Sequence, residues 1–491
     1  MQKLIKYLLL IFLFLLPWQT RYIWHYGELN GGFWEYGTFS IYATEILLWI
    51  ILLLFFVQHF LNKSFWVKLK EKKSKRGLAF ILFLVFLAFS TVLSNNFWVS
   101  YNYAFHILEA MALMVVLSGV IPTAVDGSLK PDERDSSITL RSNRNDRLTV
   151  ALWLGGVVQG ALAIYQFLTQ NISGSKWLGM AEHSARQLGA SVVEFGDQRW
   201  LRAYGGFGSP NSLGIYLVVL FVLGLVLYLK TESARIKIVI SVGQIFILSG
   251  LLVSFSRGAW IAAVAGVAVL FVVVISPLPR GSEEGVAVDC DANDDVKSNG
   301  KPPLTPPWKG GDDTRTALKQ FIKQILFALA VVIFWLIIFY PVFTARFNFN
   351  NRLEAKSISE RKGQYTEVLS FIKSNPVLGV GPGAYTLVLW EKYPKLPSWQ
   401  YQPVHNIYLL ALVEWGLAGA IMLIFLFGYL WEKIIAKSLW LMPAVVTLLA
   451  AGIFDHWLAS MYTGIIFLWV IIGLGLSSSR PQPVDKNLFL L

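Results

Sequence analysis

Runs of apolar side chains long enough to cross a lipid bilayer recur along the whole chain, and they leave it few ways to fold. A spanning helix needs about 20 mostly apolar residues. About twelve segments qualify: 4–20, 39–60, 77–94, 101–121, 148–169, 210–229, 236–254, 258–276, 320–342, 405–430, 438–454 and 458–477. In hydrocarbon every backbone N–H and C=O must be satisfied internally, which admits only helices and closed barrels. No strand pattern of useful length is present. Hydrophobic residues make up 55% of the chain and charged ones 15%, against about 25% charged in soluble domains. The expected fold is therefore all-α: a single polytopic membrane domain over 1–491 with about twelve transmembrane helices. Met1 to Trp18 opens like a signal peptide, with Lys3 and Lys6 ahead of an apolar run. No small-x-small cleavage site follows, so it is read as a first, short membrane helix.

The formal net charge is +12. In a soluble protein that would suggest a nucleic-acid partner, but here Lys and Arg gather in alternate loops, as cytoplasmic loops require. Lys63, Lys68, Lys70, Lys72, Lys73, Lys75 and Arg76 lie between the second and third runs, and Lys130, Arg134, Arg141, Arg144 and Arg147 between the fourth and fifth. Lys230, Arg235 and Lys237 follow, then Lys433 and Lys437, whereas the short loop 94–100 carries no Lys or Arg. Both termini are placed in the cytoplasm, and no nucleic acid is expected as partner. On the same side lie a polar loop, 122–147, and a segment rich in Gly, Pro, Asp and Ser, 277–318, that includes Lys301 to Trp308. Such compositions bury too little apolar surface to offset ordering entropy. Both read as disordered spacers, with a docking tail as the alternative. Two long loops fall outside, 170–209 and 343–404. The second mixes apolar and charged residues, and Tyr365, Val368, Leu369 and Ile372 fall on one face of a helix, so it reads as folded and partly helical. Long ordered loops are usually functional. The single cysteine, Cys290, excludes an intrachain disulfide and a cysteine-based metal cluster.

Ionisable residues at a membrane edge are costly and mark function. Arg202 precedes the sixth run, Arg257 sits in the tight turn before the eighth, and Arg361 lies in the large outer loop. His405 and Asn406 open the tenth run, and Asp455 and His456 separate the last two. The assigned topology puts all of them on one side. Arginine offers two parallel donors to phosphate oxygens and stays charged, so the set suits a diphosphate head group on a lipid; the plainer role is interfacial anchoring. His405 suits a general base, or else a cap. Glu414 is nine residues beyond His405, on the opposite face of a regular helix, and is expected to pair with a neighbouring helix that Gly416 and Gly419 let approach. Gly379-Val-Gly381-Pro-Gly383 lacks the strand and lysine of a phosphate loop and reads as a backbone turn. Asn171-Ile-Ser173 matches a glycosylation sequon. No His and carboxylate spacing suggests a metal, so a metal-free reaction without a cofactor is expected.

Several of these pieces, in this order, resemble the O-antigen ligase and O-antigen polymerase-like membrane proteins: Arg202 with Gly-Phe-Gly-Ser-Pro-Asn211, Ser256-Arg257-Gly-Ala-Trp260, Arg361 upstream of Asn375-Pro-Val-Leu-Gly-Val-Gly381, Tyr385, and His405-Asn-Ile-Tyr408 followed by Glu414-Trp-Gly416 and Gly419. The resemblance covers about 200–478, and the first 200 residues share only the hydrophobic layout. It implies a glycosyltransferase of a bacterial cytoplasmic (inner) membrane. Such enzymes move a glycan from a polyprenyl-diphosphate carrier to lipid A core, a growing polysaccharide or a protein outside the membrane. Carried over, Arg202 and Arg257 hold the diphosphate, His405 activates or orients the acceptor hydroxyl, and Arg361 supports the donor side. Asn406, Tyr408, Asn211 and Tyr385 are expected to bind substrate. The motifs serve a ligase and a polymerase alike. A transporter of a small solute or anion such as bicarbonate is the alternative, for which broken midplane helices would be expected and none is evident in the sequence. A scaffold within an export complex is a third reading.

Overall fold

The computed structural model of the chain describes residues 1–60, 78–119, 131–276 and 311–477. In chain order it begins with helix α1 (Gln2–Leu15), followed by strands β1 (Arg21–His25), β2 (Glu28–Leu29), β3 (Gly32–Phe33) and β4 (Phe39–Tyr42). Helices α2 (Ala43–Phe60), α3 (Leu78–Val92), α4 (Phe97–Ser118) and α5 (Pro131–Thr169) lead to strands β5 (Asn171–Ile172), β6 (His183–Ser184), β7 (Val192–Phe195) and β8 (Gln198–Leu201). Then come α6 (Pro210–Lys230), α7 (Ala234–Val253), α8 (Arg257–Ile275) and α9 (Gly311–Ile338). Helices α10 (Tyr340–Phe347), α11 (Arg352–Ser374) and α12 (Tyr385–Lys392) precede α13 (Ile407–Lys437), α14 (Met442–Gly452), α15 (Trp457–Ser460) and α16 (Tyr462–Ser477).

Each of the twelve apolar runs contains a helix. Among the described residues eight helices are long and apolar enough to cross a membrane, and α3, α14 and α16 are shorter apolar helices. The molecule is a multi-pass membrane protein. Apolar all round, α6 is buried along its length, as such a helix must be, and α5, α7, α8 and α14 surround it. α2, α8 and α9 lie at the periphery, mostly unburied, and expose Leu53, Val264 and Ile337, side chains suited to lipid.

The chain is not purely helical, because the eight strands pair into four antiparallel two-stranded sheets. A two-stranded ribbon leaves little sequence pattern, which hides it from a reading by periodicity. The polar stretch 122–147, expected to be unstructured, is helical from Pro131 onward as the start of α5. α9 likewise begins at Gly311, inside the segment 277–318 expected to be disordered. Residues 277–310, Cys290 among them, lie outside the described residues. The long segment 343–404 is folded and partly helical, as expected. Its helix α11 buries Val368 and Phe371, while Leu369 points outward. Together with Leu29, Trp34, Tyr401 and Val413 these side chains form a second core, separate from that of the bundle.

α13 is broken. Gly416 has φ 60° and ψ −167°, a combination essentially restricted to glycine. Segment 376–381 fills the gap: the amides of Leu417 and Ala418 donate to the carbonyls of Pro376 and Val377 at 2.8 and 3.0 Å, and those of Val380 and Gly381 donate to Val413 and Glu414 at 3.0 and 2.8 Å. The glycine-rich turn is thus a latch between the outer loop and α13. Glu414 pairs with this latch rather than with a neighbouring helix, its carboxylate accepting from the backbone of Gly383 and Tyr385. The bundle does contain a broken helix, though its gap holds protein backbone instead of lining a passage.

Candidate active site

The turn from α7 to α8 organises one end of the bundle. Phe255 is held at φ 48°, a left-handed conformation uncommon for a bulky residue, and its ring is buried against Phe167 and Phe343. The turn aims two carbonyls at two arginines. Ser254 O accepts from Arg202 Nε at 2.8 Å, and Phe255 O accepts from Arg346 Nε at 3.0 Å. The ribbon β7–β8 delivers Arg202, whose amide donates to Ser191, while the amide of Ala203 donates to Val253 at the end of α7. Arg257 is the first residue of α8. A guanidinium there adds to the positive end of the helix dipole instead of balancing it, so both favour an anion.

Arg202, Arg257, Arg346 and Arg361 line one cavity of about 220 Å³, together with Ser256, Gly258 and Ala259 from the start of α8. Two carboxylates face them, Glu354 and Asp455. Glu354 is buried and forms ion pairs with Arg257 Nη2 at 2.9 Å and with Arg346 Nη1. Among the described residues the buried Nη1 of Arg257 has no hydrogen-bond partner. Burial, and then the charge of Arg346, pull Arg202 well below the ordinary arginine range; burial also lowers Arg346, partly offset by Glu354. The basin keeps an excess of positive charge that an incoming anion would relieve.

A second cavity of about 650 Å³ adjoins the first, sharing Ser191, Arg202, Asn211 and Asp455, and it carries His405 and His456. His405 Nδ1 is buried and lies 3.5 Å from Asp455 Oδ2, close but not hydrogen-bonded to it. Asp455 Oδ2 also accepts from Asn211 Nδ2 at 3.2 Å, and Oδ1 accepts from the Trp457 amide at 2.9 Å. Burial works to raise the Asp455 carboxyl, but the neighbouring His405 and His456 and the Trp457 amide outweigh it and hold it below the usual carboxylate range. Burial pushes His456 down to about 4, against the pull of Asp455. His456 is therefore neutral near pH 7; its Nδ1 lies 2.6 Å from Ser460 Oγ and its ring 5.0 Å from that of His405.

Arg202, Arg257, Arg361, His405 and Asn211 thus meet across two adjoining cavities. Three other candidates do not. Tyr385 is buried in the second core, edge-on to Phe371. The Asn406 side chain caps α13, accepting from the amides of Tyr408 and Leu409. The Tyr408 hydroxyl donates to Leu449 O at 2.8 Å. None of the three lines either cavity. Glu354 and Arg346 were not legible as site residues, nor were Arg21 and Glu35, which reach the larger cavity from the β1–β4 ribbon.

Two groups of His and carboxylate side chains come together in the fold. The ligand atoms of His405, Asp455 and His456 lie within 4.8 Å of one another, as do those of Glu45, His106 and Glu109. Spacing in the sequence gives no sign of either group, because the fold alone brings the members together. At the first group both Asp455 oxygens and His456 Nδ1 are already engaged by protein partners, which suits a hydrogen-bonded network better than a metal.

Residues 242–424 match the family model described as O-Antigen ligase. The match spans Arg257, Arg346, Glu354, Arg361 and His405, and it bears out the resemblance read from the sequence. No curated protein matches the chain.

Proposed function

We propose that the protein transfers a glycan from a polyprenyl-diphosphate carrier to an acceptor hydroxyl on the extracytoplasmic face of the membrane, as an O-antigen ligase or polymerase. One observation carries the reading: an arginine basin and an imidazole backed by a carboxylate open into cavities that meet at Arg202, Asn211 and Asp455. The basin takes the diphosphate. His405, oriented by Asp455, accepts the proton of the acceptor hydroxyl as its oxygen bonds to the anomeric carbon. The bond from that carbon to the diphosphate oxygen breaks, and the arginines take up the charge released, which is the kind of stabilisation that dominates many enzymes. The proton leaves the imidazolium for solvent or the departing diphosphate. The residues named use no metal.

A carrier for a small anion would draw on the same arginines and on the broken helix α13, and reconstitution separates the two readings. Purified protein in lipid, given a polyprenyl-diphosphate glycan and an acceptor, should release lipid diphosphate in step with glycan transfer. Arg257→Ala and His405→Ala should abolish both. Anion flux without transfer would refute the proposal.

A further inference from the structure

We infer that Glu45, His106 and Glu109 form a binding site for a divalent transition-metal ion of the zinc type, which ties α2 to α4 beneath the β1–β4 ribbon. The site is separate from the proposed glycan transfer. None of its three residues lines either cavity of the candidate active site, and all three lie outside the family match.

Ionisable groups within membrane helices are costly and mark function, and here three of them meet. Glu45 stands in the first turn of α2, and His106 and Glu109 share a face of α4 at a spacing of three. The three residues are only 2%, 8% and 5% exposed. His106 Nδ1 lies 3.2 Å from Glu109 Oε2 and 3.8 Å from Glu45 Oε1. Among the described residues no lysine or arginine forms an ion pair with either carboxylate. A buried charge must be paired. A protonated imidazole would offset one of the two negative charges, whereas a divalent cation offsets both and leaves the imidazole neutral as a ligand.

The remaining carboxylate oxygens are held from outside the group. Glu45 Oε2 accepts from the Tyr42 amide at 3.0 Å, and Glu109 Oε1 accepts from Trp49 Nε1. Outer contacts of this kind orient the ligands of a metal, and they turn Glu45 Oε1 and Glu109 Oε2 toward His106 Nδ1. Zinc bonds of about 2.0–2.2 Å set the ligand atoms of a tetrahedron about 3.3–3.6 Å apart. The separations of 3.2 and 3.8 Å bracket that range. In the group of His405, Asp455 and His456, by contrast, both Asp455 oxygens and His456 Nδ1 are taken by residues outside the group.

A second observation points to a ligand at the same place. The hydroxyls of Tyr462 and neighbouring Thr44 are buried and make no hydrogen bond. Tyr462 meets the His106 ring edge-on with centroids 5.2 Å apart, and both residues line a cavity of about 60 Å³, roomy enough for water. A water completing the coordination of the ion would give the Tyr462 hydroxyl the partner it lacks. The ion would also brace the ribbon, because Glu45 holds the amide of Tyr42, the last residue of β4, and the Tyr42 ring stacks on Tyr462 at 4.5 Å.

The test uses the full chain with its purification tag removed, stripped by a chelator and reconstituted in lipid nanodiscs. Zn²⁺ is titrated against a chromophoric chelator, and the metal kept after desalting is counted by mass spectrometry. Wild type should keep about one equivalent in the presence of excess Mg²⁺ and Ca²⁺, and should melt several degrees higher with Zn²⁺ than without. Glu109→Gln and His106→Asn should each weaken binding about 100-fold or more and remove the thermal shift. His456→Asn, which alters the other His and carboxylate group, should leave both unchanged. Cu²⁺ in place of Zn²⁺ should show electron paramagnetic coupling to a single imidazole, a signature read on wild type and so independent of any variant that misfolds. A wild type that keeps no Zn²⁺ overturns the inference and leaves a shared proton as the counter-charge. A two-imidazole spectrum, binding abolished by His456→Asn, or binding that survives both Glu109→Gln and His106→Asn overturns it too, the ion then being held elsewhere or adventitious.

Discussion

Replacing Gly416 with alanine should unlatch the outer loop from α13. A Cβ on Gly416 would lie 2.3 Å from the Val377 carbonyl oxygen and 2.5 Å from the Gly379 amide nitrogen, both backbone atoms that cannot swing aside. Alanine at φ 60° and ψ −167° adds backbone strain of about 1–3 kcal/mol. Relieving the clash moves segment 376–379 outward and breaks the bonds it accepts from Leu417 and Ala418, each worth about 1 kcal/mol. The sum, about 3–5 kcal/mol, is a large part of the margin of a typical domain. Gly428 supplies the control on the same helix, because a Cβ there meets nothing within 4 Å. Gly428→Ala should leave stability unchanged or raise it by up to about 1 kcal/mol. Thermal unfolding of the two variants in one detergent, followed by exposure of buried tryptophan, checks the pair. Gly416→Ala should melt several degrees below wild type. If it melts with wild type, or if Gly428→Ala loses as much, the latch does not hold the loop.

His405→Ala should lower kcat for glycan transfer about 100-fold or more, and Asp455→Asn, which keeps the shape but removes the charge behind the imidazole, by about tenfold or more, both without loss of donor binding in a labelled-donor titration. Stability should fall in acid. His456 sits near 4 in the folded protein and near 6.5 when unfolded, so the unfolded chain binds the extra proton between those values. Thermal unfolding from pH 7 to pH 4 should therefore show a loss approaching about 3 kcal/mol at pH 4, and His456→Asn should flatten it. Single cysteines at positions 257 and 405, introduced with Cys290→Ser, should react with an impermeant maleimide from the same side of intact cells; labelling from opposite sides would dismantle the site.

The helices and the arginines were legible because their signals are local. A run of twenty apolar residues needs no partner to be read, and arginine at the end of such a run is conspicuous. Arg202, Arg257 and Arg361, which line the same cavity, stand out in this way. The pairings were not legible, since Arg346 reads as an ordinary basic residue and Glu354 as a surface charge until folding sets Glu354 between Arg257 and Arg346. Asn406, Tyr408 and Tyr385 carried motif signals yet serve structure: a cap, a helix contact and a core ring. Motif membership cannot separate a residue that touches substrate from one that shapes the segment carrying it. The break in α13 was hidden because glycine at 416 reads equally as a close helix contact, and only the segment filling the gap tells the two apart.

Asn211 ties the two halves of the site together, and its chemistry explains why an amide stands there. It lies in the first turn of the buried pillar α6, accepting from Arg202 Nη2 through Oδ1 at 2.8 Å and donating to Asp455 through Nδ2 at 3.2 Å. A guanidinium only donates and an ionised carboxylate only accepts, so the residue between them must do both in opposite directions. Aspartate would set a second negative charge against Asp455, and leucine would leave two buried charged groups short of a partner, each costing about 1–3 kcal/mol or more. Through this amide, whatever draws Arg202 toward a diphosphate also acts on the carboxylate that orients His405. In the proposed reaction the donor grip and the proton acceptor would thereby be held in one frame, although Arg202 and Asp455 are carried by segments far apart in the chain.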